Sequence, residues 1–255
     1  FKIGVTPIEE LRKYIVAAKT LGTNVLRLWC GDKNSEDYTE SEKRNLISTI
    51  DSDRSDKRTY AASQLLKIMC QNDSFGIPRL GETEQVEAID HVSAYAHYQK
   101  ILRESPIEIF YVGSAEASHV ADLLMPLLNR LEREYIPLEK QTAFRPCDGQ
   151  DVVETMEVTQ GKLCMGFTTP ITNRMPEFPA MQVLNTIFGA GMTSKLFMNI
   201  RERLSLCYSV GSGYYGTKGI VMVSAGIDFD KEQQTREEVL RQLDACRKGE
   251  ITENE

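Results

Sequence analysis

From Pro106 onward the hydrophobic period of the chain switches repeatedly, and the order of those switches limits the fold more tightly than any single motif. "IEIFYVG" (107–113) is an apolar, β-branched and aromatic run ended by glycine, the pattern of a strand. The helix-period segment "ASHVADLLMPLLNRLERE" (117–134) follows it. Two further strand-like runs, "VVETMEV" (152–158) and "KLCMGFTT" (162–169), are joined by the turn "TQG". Then come two helical segments, "EFPAMQVLNTIFG" (177–189) and "TSKLFMNIRERL" (193–204). The strands "LCYSVGSGYY" (206–215) and "GIVMVSAGIDF" (219–229) meet around Gly216 to Gly219, and a helix, "KEQQTREEVLRQLDACRKG" (231–249), ends on glycine. The order β-α-β-β-α-α-β-β-α with hairpin-length links predicts an α+β layer: an antiparallel sheet of four or more strands with helices on one face.

The residues before Pro106 have a different texture. "PIEELRKYIVAAKTLG" (7–22) has Ile8, Leu11, Ile15 and Ala18 on one side of a helix and Gly22 as its stop, and "NVLRLWC" (24–30) reads as a short strand. Helices are predicted around Leu46, Ile47 and Ile50, over "KRTYAASQLLKIMCQ" (57–71), and over "QVEAIDHVSAYAHYQKIL" (85–102). The organisation expected is a mostly helical part, residues 1–105, followed by an α+β domain, residues 106–255. A first residue other than methionine and the ending "KGEITENE" read as cut ends, with the second domain incomplete at its C-terminus.

Composition removes several function classes. The net charge of -7 is spread along the chain, which favours solubility and opposes non-specific binding to nucleic acid. No stretch approaches the ~20 apolar residues of a membrane-crossing helix, and no signal peptide is visible. Cys30, Cys70, Cys147, Cys164, Cys207 and Cys246 are widely spaced and form no C-x-x-C or Cys/His group of zinc-site spacing. Buried thiols in a reducing compartment, the cytoplasm, are expected.

Few residues carry chemistry. "GAGMTSK" (189–195) lacks the spacing of a phosphate-binding loop and follows a helix, so it reads as a tight interhelical turn. Gly189 and Gly191 would allow close approach or positive φ there, and Thr193 or Ser194 would cap the next helix. His91, His97 and His119 have no partners at metal-ligand spacing. Arg201 and Tyr208 differ from these: one falls in the last turns of a helix and the other near the start of the next strand. A short turn can bring guanidinium and phenol to one sheet edge, where both can donate to a peptide carbonyl or to the oxyanion it becomes. The alternative reading has Arg201 capping carbonyls and Tyr208 packing in the sheet.

"LNTIFGAGMTSKLFMNIRERLSLCYSV" (184–210), with its Gly-rich turn, "SKLF", and an arginine seven residues before a tyrosine, resembles the second-half signature of the insulinase and pitrilysin metallopeptidases, which include the mitochondrial processing peptidase. The resemblance extends through "VTQGKLCMGFTTP" and "GIVMVSAGIDFDK" and back to "YTESEKRNLISTIDSDRSDKRTYAASQLL", and residues 1–37 lie outside it. It implies paired homologous α+β domains, so that residues 1–105 would be the helical remainder of a first domain. It also implies a clamshell around an unfolded peptide, with Arg201 and Tyr208 reaching the substrate backbone.

In that family zinc is held by the histidines of H-x-x-E-H and a distant glutamate. The 255 residues contain no H-x-x-E-H. Glu42 matches a glutamate that precedes the third ligand, but the ligand position falls on Thr49, and no glutamate occurs between Glu42 and Glu82. The resemblance therefore implies a zinc-less, non-catalytic subunit of a two-component metallopeptidase. It would bind peptide through Arg201 and Tyr208, with no metal or cofactor in this chain and zinc supplied by a paralogous partner in a heterodimer. The alternatives are a fragment of a complete zinc endopeptidase and a peptide-binding scaffold with no proteolytic role.

Overall fold

The computed structural model describes residues 2–3, 29–30, 36–130, 132–137 and 147–254. In chain order its elements are β1 (Lys2–Ile3), β2 (Trp29–Cys30), α1 (Glu36–Ser55), α2 (Lys57–Met69), α3 (Thr83–Glu87), α4 (His91–Glu104), α5 (Ala117–Asn129), β3 (Gly161–Thr168), α6 (Phe178–Asn185), β4 (Cys207–Tyr215), β5 (Ile220–Ile227) and α7 (Glu232–Arg247). Two π-helical segments, Thr186–Ala190 and Phe197–Arg203, lie between α6 and β4. The expected helix over 7–22 and most of the strand over 24–30 lie outside the described residues. The chain divides into two compact units, one within 1–49 and 82–140 and the other within 50–81 and 141–255.

The regular secondary structure described in the first unit is helical, apart from the two-residue parallel pairing of β1 with β2; residues 105–116 and 132–137 are irregular. The single helix expected over 85–102 is two helices, because Asp90 starts a new one. Its carboxylate accepts from Ser93 N at 2.7 Å while Asp90 N donates to Ser93 Oγ at 3.1 Å, a reciprocal cap that satisfies two otherwise orphaned donors. Arg133 caps the other end of α4, donating to Leu102 O at 2.8 Å. The helix expected to run to residue 134 stops at Asn129.

The second unit holds the sheet. β5 is central and antiparallel to both neighbours, in the order β3-β5-β4, with Gly161 opposite Ile227 and Thr168 opposite Ile220 on one side. On the other side Tyr215 stands opposite Ile220 and Cys207 opposite Ile227. Alternation puts Val221, Val223, Ala225 and Ile227 on one face of β5. There they form the core with Phe188, Leu196, Ile200, Leu206, Val239 and Cys246, and with Leu163, Met165 and Phe167 of β3. The α+β architecture is the one expected, and the helical segments after β3 supply this face.

Three strands rather than four or more form the antiparallel sheet among the described residues. The runs 107–113 and 152–158 are not strands. Phe110 is 86% exposed, Val112 99% and Val153 90%, so these β-branched and aromatic residues have no facing layer to bury them. Strand propensity is a packing preference and lapses without a packing partner. The opposite face of β3 is covered by α2, a segment expected in the helical first part: Leu65 and Met69 lie directly over Gly166, where no side chain would fit. The loop after α2 is tied to the β4–β5 turn by Lys218 Nζ, 2.7 Å from Asp73 Oδ2, and by the edge-to-face pair Phe75 and Tyr215 at 5.9 Å. Both charges of that pair are largely buried, where an ion pair is retained by its geometry more than by its net energy.

Candidate peptide-facing edge of the sheet

Gly189 belongs to the first π-helical segment and is buried against β4. A Cβ at this position would stand 2.6 Å from Ser212 Oγ and 2.7 Å from Leu196 Cδ1, so close approach is what glycine provides here. Gly191 has extended backbone and open space around it, and so has no such requirement. Of the two candidate caps, Ser194 is the buried one, and its Oγ accepts from Phe197 N at 3.4 Å.

From Phe197 the helix widens to i→i+5 hydrogen bonding, closed by Leu204 N donating to Asn199 O at 3.1 Å. Such segments are rare and recur at functional sites because the extra residue per turn re-aims side chains. Leu196 and Ile200 are fully buried and hold the segment to the core. Arg201, next in the chain, keeps 43% of its side chain exposed, with its guanidinium carbon 4.7 Å from the Phe197 ring centroid and Nη1 3.5 Å from Glu202 Oε1. The aromatic face steadies the cation without consuming its hydrogen-bond donors.

The chain then reverses. Ser205 has φ 50, a left-handed conformation that is uncommon outside glycine, and Leu206 N donates back to Ile200 O at 2.9 Å. Leu206 and Cys207 are buried, and β4 begins at Cys207. Cys207 pairs with Ile227 and Ser209 with Gly226, so Tyr208 is an extra residue in the ladder, a β-bulge. Bulges turn one side chain out of the regular alternation. Tyr208 is 61% exposed, on a strand that forms an edge of the sheet among the described residues. Tyr208 is therefore not part of the buried core.

The Tyr208 hydroxyl donates to Asp228 Oδ1 at 3.1 Å, and that carboxylate pushes the phenol above the usual tyrosine range. Asp228 immediately follows β5, at the end of the ladder where β4 begins. Sequence reasoning missed it, because Asp228 lies inside the strand expected over 219–229 and nothing in the pattern singles it out. Burial pushes the Cys207 thiol up to about 11, and the Arg201 charge partly opposes this, so the guanidinium acts on the residue next to Tyr208. Arg201, Tyr208 and Asp228 thus belong to one end of the β4–β5 pair.

The family's zinc does not fit the residues present. Thr49 is exposed on α1 and its hydroxyl donates to Asn45 O at 2.9 Å, while Glu42 is exposed on the same helix. His91 opens α4, His97 lies within it, and His119 is exposed on α5. Among the described residues no three His, Cys, Asp or Glu side chains are grouped to hold a metal, and the sequence has no H-x-x-E-H.

Of the five cysteines whose side chains are described, Cys147 is exposed, Cys164 half-buried, and Cys70, Cys207 and Cys246 are buried. Burial also pushes the thiols of Cys70 and Cys164 up. Brief alkylation of the folded protein near neutral pH is expected to label Cys147 ahead of Cys70, Cys164 and Cys207, with Cys207 reacting only on unfolding, as read by peptide mass spectrometry. Equal labelling of Cys207 and Cys147 in the folded state would contradict this packing.

The described residues thus form an α+β domain with a small antiparallel sheet and an exposed arginine and tyrosine at its edge, in a sequence without H-x-x-E-H. Residues 88–255 match the family model of the Peptidase M16 inactive domain, and the chain belongs to this insulinase-like family. It is 31% identical over 225 residues to the probable inactive metalloprotease YmfF of Bacillus subtilis, a match covering 88% of this chain and 53% of the relative. Among solved structures it resembles a conserved protein from Enterococcus faecalis (TM-score 0.74, 30% identity, 84% of this chain and 51% of that one). It also resembles a peptidase M16 inactive domain from Pseudomonas fluorescens (TM-score 0.63, 14% identity, 92% and 56%), a likeness of fold alone. The chain spans about half the length of the curated relatives it matches.

Proposed function

We propose that this chain is part of a zinc-less, non-catalytic subunit of a two-component metallopeptidase, which holds the backbone of an unfolded peptide through Arg201 and Tyr208 while a zinc-bearing paralogous subunit performs the hydrolysis. The observation that carries the reading is Tyr208, turned outward by a bulge at the edge of the sheet. Arg201 is exposed at the same end. A guanidinium and a phenol at a strand edge can engage peptide groups directly, and neither group can activate water for attack. The missing zinc motif and the match to an inactive domain favour the two-component arrangement over a self-sufficient zinc endopeptidase.

A heterodimer follows from this division of labour, and a cytoplasmic location is supported by the buried thiols of Cys70 and Cys207. Among the described residues no helix is long and apolar enough to cross a membrane. The reading is tested by combining the full-length protein with a zinc-bearing paralogue and following cleavage of labelled casein. Activity that requires both components supports it. Activity of the paralogue unchanged by this protein sinks it.

A further inference from the structure

Tyr208 has one hydroxyl proton, and Asp228 takes it. An ionised carboxylate can only accept, so in the contact of 3.1 Å the phenol is the donor. What Tyr208 then presents to solvent is the lone-pair side of its oxygen. Arg201 has only donors to offer. Asp228 is exposed, and its side chain does not cap the short helical turn Phe229–Lys231 that it precedes.

We infer that Asp228 is a positioning residue that makes Tyr208 a hydrogen-bond acceptor, so that Arg201 and Tyr208 together match the C=O and the N–H of an extended peptide backbone. This rests on the peptide-binding reading above and changes one part of it, the direction of the tyrosine's hydrogen bond. An exposed phenol with a free rotor would lose orientational entropy on binding a ligand. The carboxylate removes that freedom beforehand. A site reading one donor and one acceptor of the main chain selects extended peptide irrespective of its side chains, and it disfavours peptide whose backbone N–H groups are already used in helix or sheet.

The test uses the full-length protein assembled with its zinc-bearing paralogue and fluorescein-labelled casein as substrate. Asp228→Ala is expected to raise KM about three- to tenfold, the size of one ordinary hydrogen bond, with kcat nearly unchanged. Asp228→Glu, which keeps an acceptor-only carboxylate, should recover most of that loss. Because Asp228 acts through Tyr208, the double variant Tyr208→Phe/Asp228→Ala should be no worse than Tyr208→Phe alone. Wild-type KM in Asp228→Ala beside an impaired Tyr208→Phe, or losses that multiply in the double variant, would overturn the inference and leave the peptide-binding reading standing. Full activity in both Tyr208→Phe and Arg201→Ala would instead remove that reading.

Discussion

Replacing Arg201 by alanine is expected to lower kcat/KM of the assembled peptidase by about 10²-fold, the scale for losing one donor to a developing oxyanion. The side chain reaches solvent from a π-helical segment whose neighbouring residues, Leu196 and Ile200, are fully buried, so truncation removes the guanidinium without disturbing the core. Its contacts with the Phe197 ring and Glu202 are both local, and losing an exposed pair of this kind costs little stability. Tyr208→Phe should cost about tenfold, the worth of a hydrogen bond whose partner is left unpaired in the bound state. Both variants should unfold at the wild-type midpoint and still assemble with the partner. Steady-state kinetics together with an unfolding curve checks this, and loss of activity accompanied by loss of fold would assign the residues to packing.

The second large effect lies beneath the site. Phe188 is 2% exposed and closes the first π-helical segment against Leu196, Ile200, Val223 and Val239. Phe188→Ala should destabilise the unit by about 3–5 kcal/mol, because the fixed β5 backbone and the buried helical residues around it cannot collapse into the space left. Denaturant unfolding should show a lower midpoint at unchanged slope. A loss below about 1 kcal/mol would mean that the cluster repacks freely, against the close fit at Gly189.

The parts legible in the sequence were those written in more than one residue. The strands at 161–168 and 220–227 alternate around Leu163, Met165 and Phe167 and around Val221, Val223 and Ala225. The antiparallel pairing of 207–215 with 220–227 follows from the short link between them, whereas the pairing of 161–168 with 220–227 spans about fifty residues and had no such signal. The last helix was marked by its apolar spacing and terminal glycine. The runs 107–113 and 152–158 carried the same composition and are not strands, because a strand needs a neighbour that composition does not specify. Asp90 divided a helix that looked continuous, through a cap whose signal was a single Asp-x-x-Ser.

At the site, Arg201 and Tyr208 were visible as a spacing, while the features that aim them were not. The widened helix at 197–203, the left-handed Ser205 and the bulge at Tyr208 each depend on one extra or strained residue. Any of these is invisible to a period of 3.6 or 2. Asp228 meets Tyr208 from twenty residues away, through the register of the β4–β5 pair.

Whether this subunit grips peptide and leaves the chemistry to a partner is decided by cleavage of labelled casein in three mixtures: the full-length protein alone, the protein with a zinc-bearing paralogue, and that pair with a metal chelator. No cleavage is expected in the first, cleavage in the second, and its loss in the third. Chelator-sensitive cleavage by the full-length protein alone would contradict that expectation.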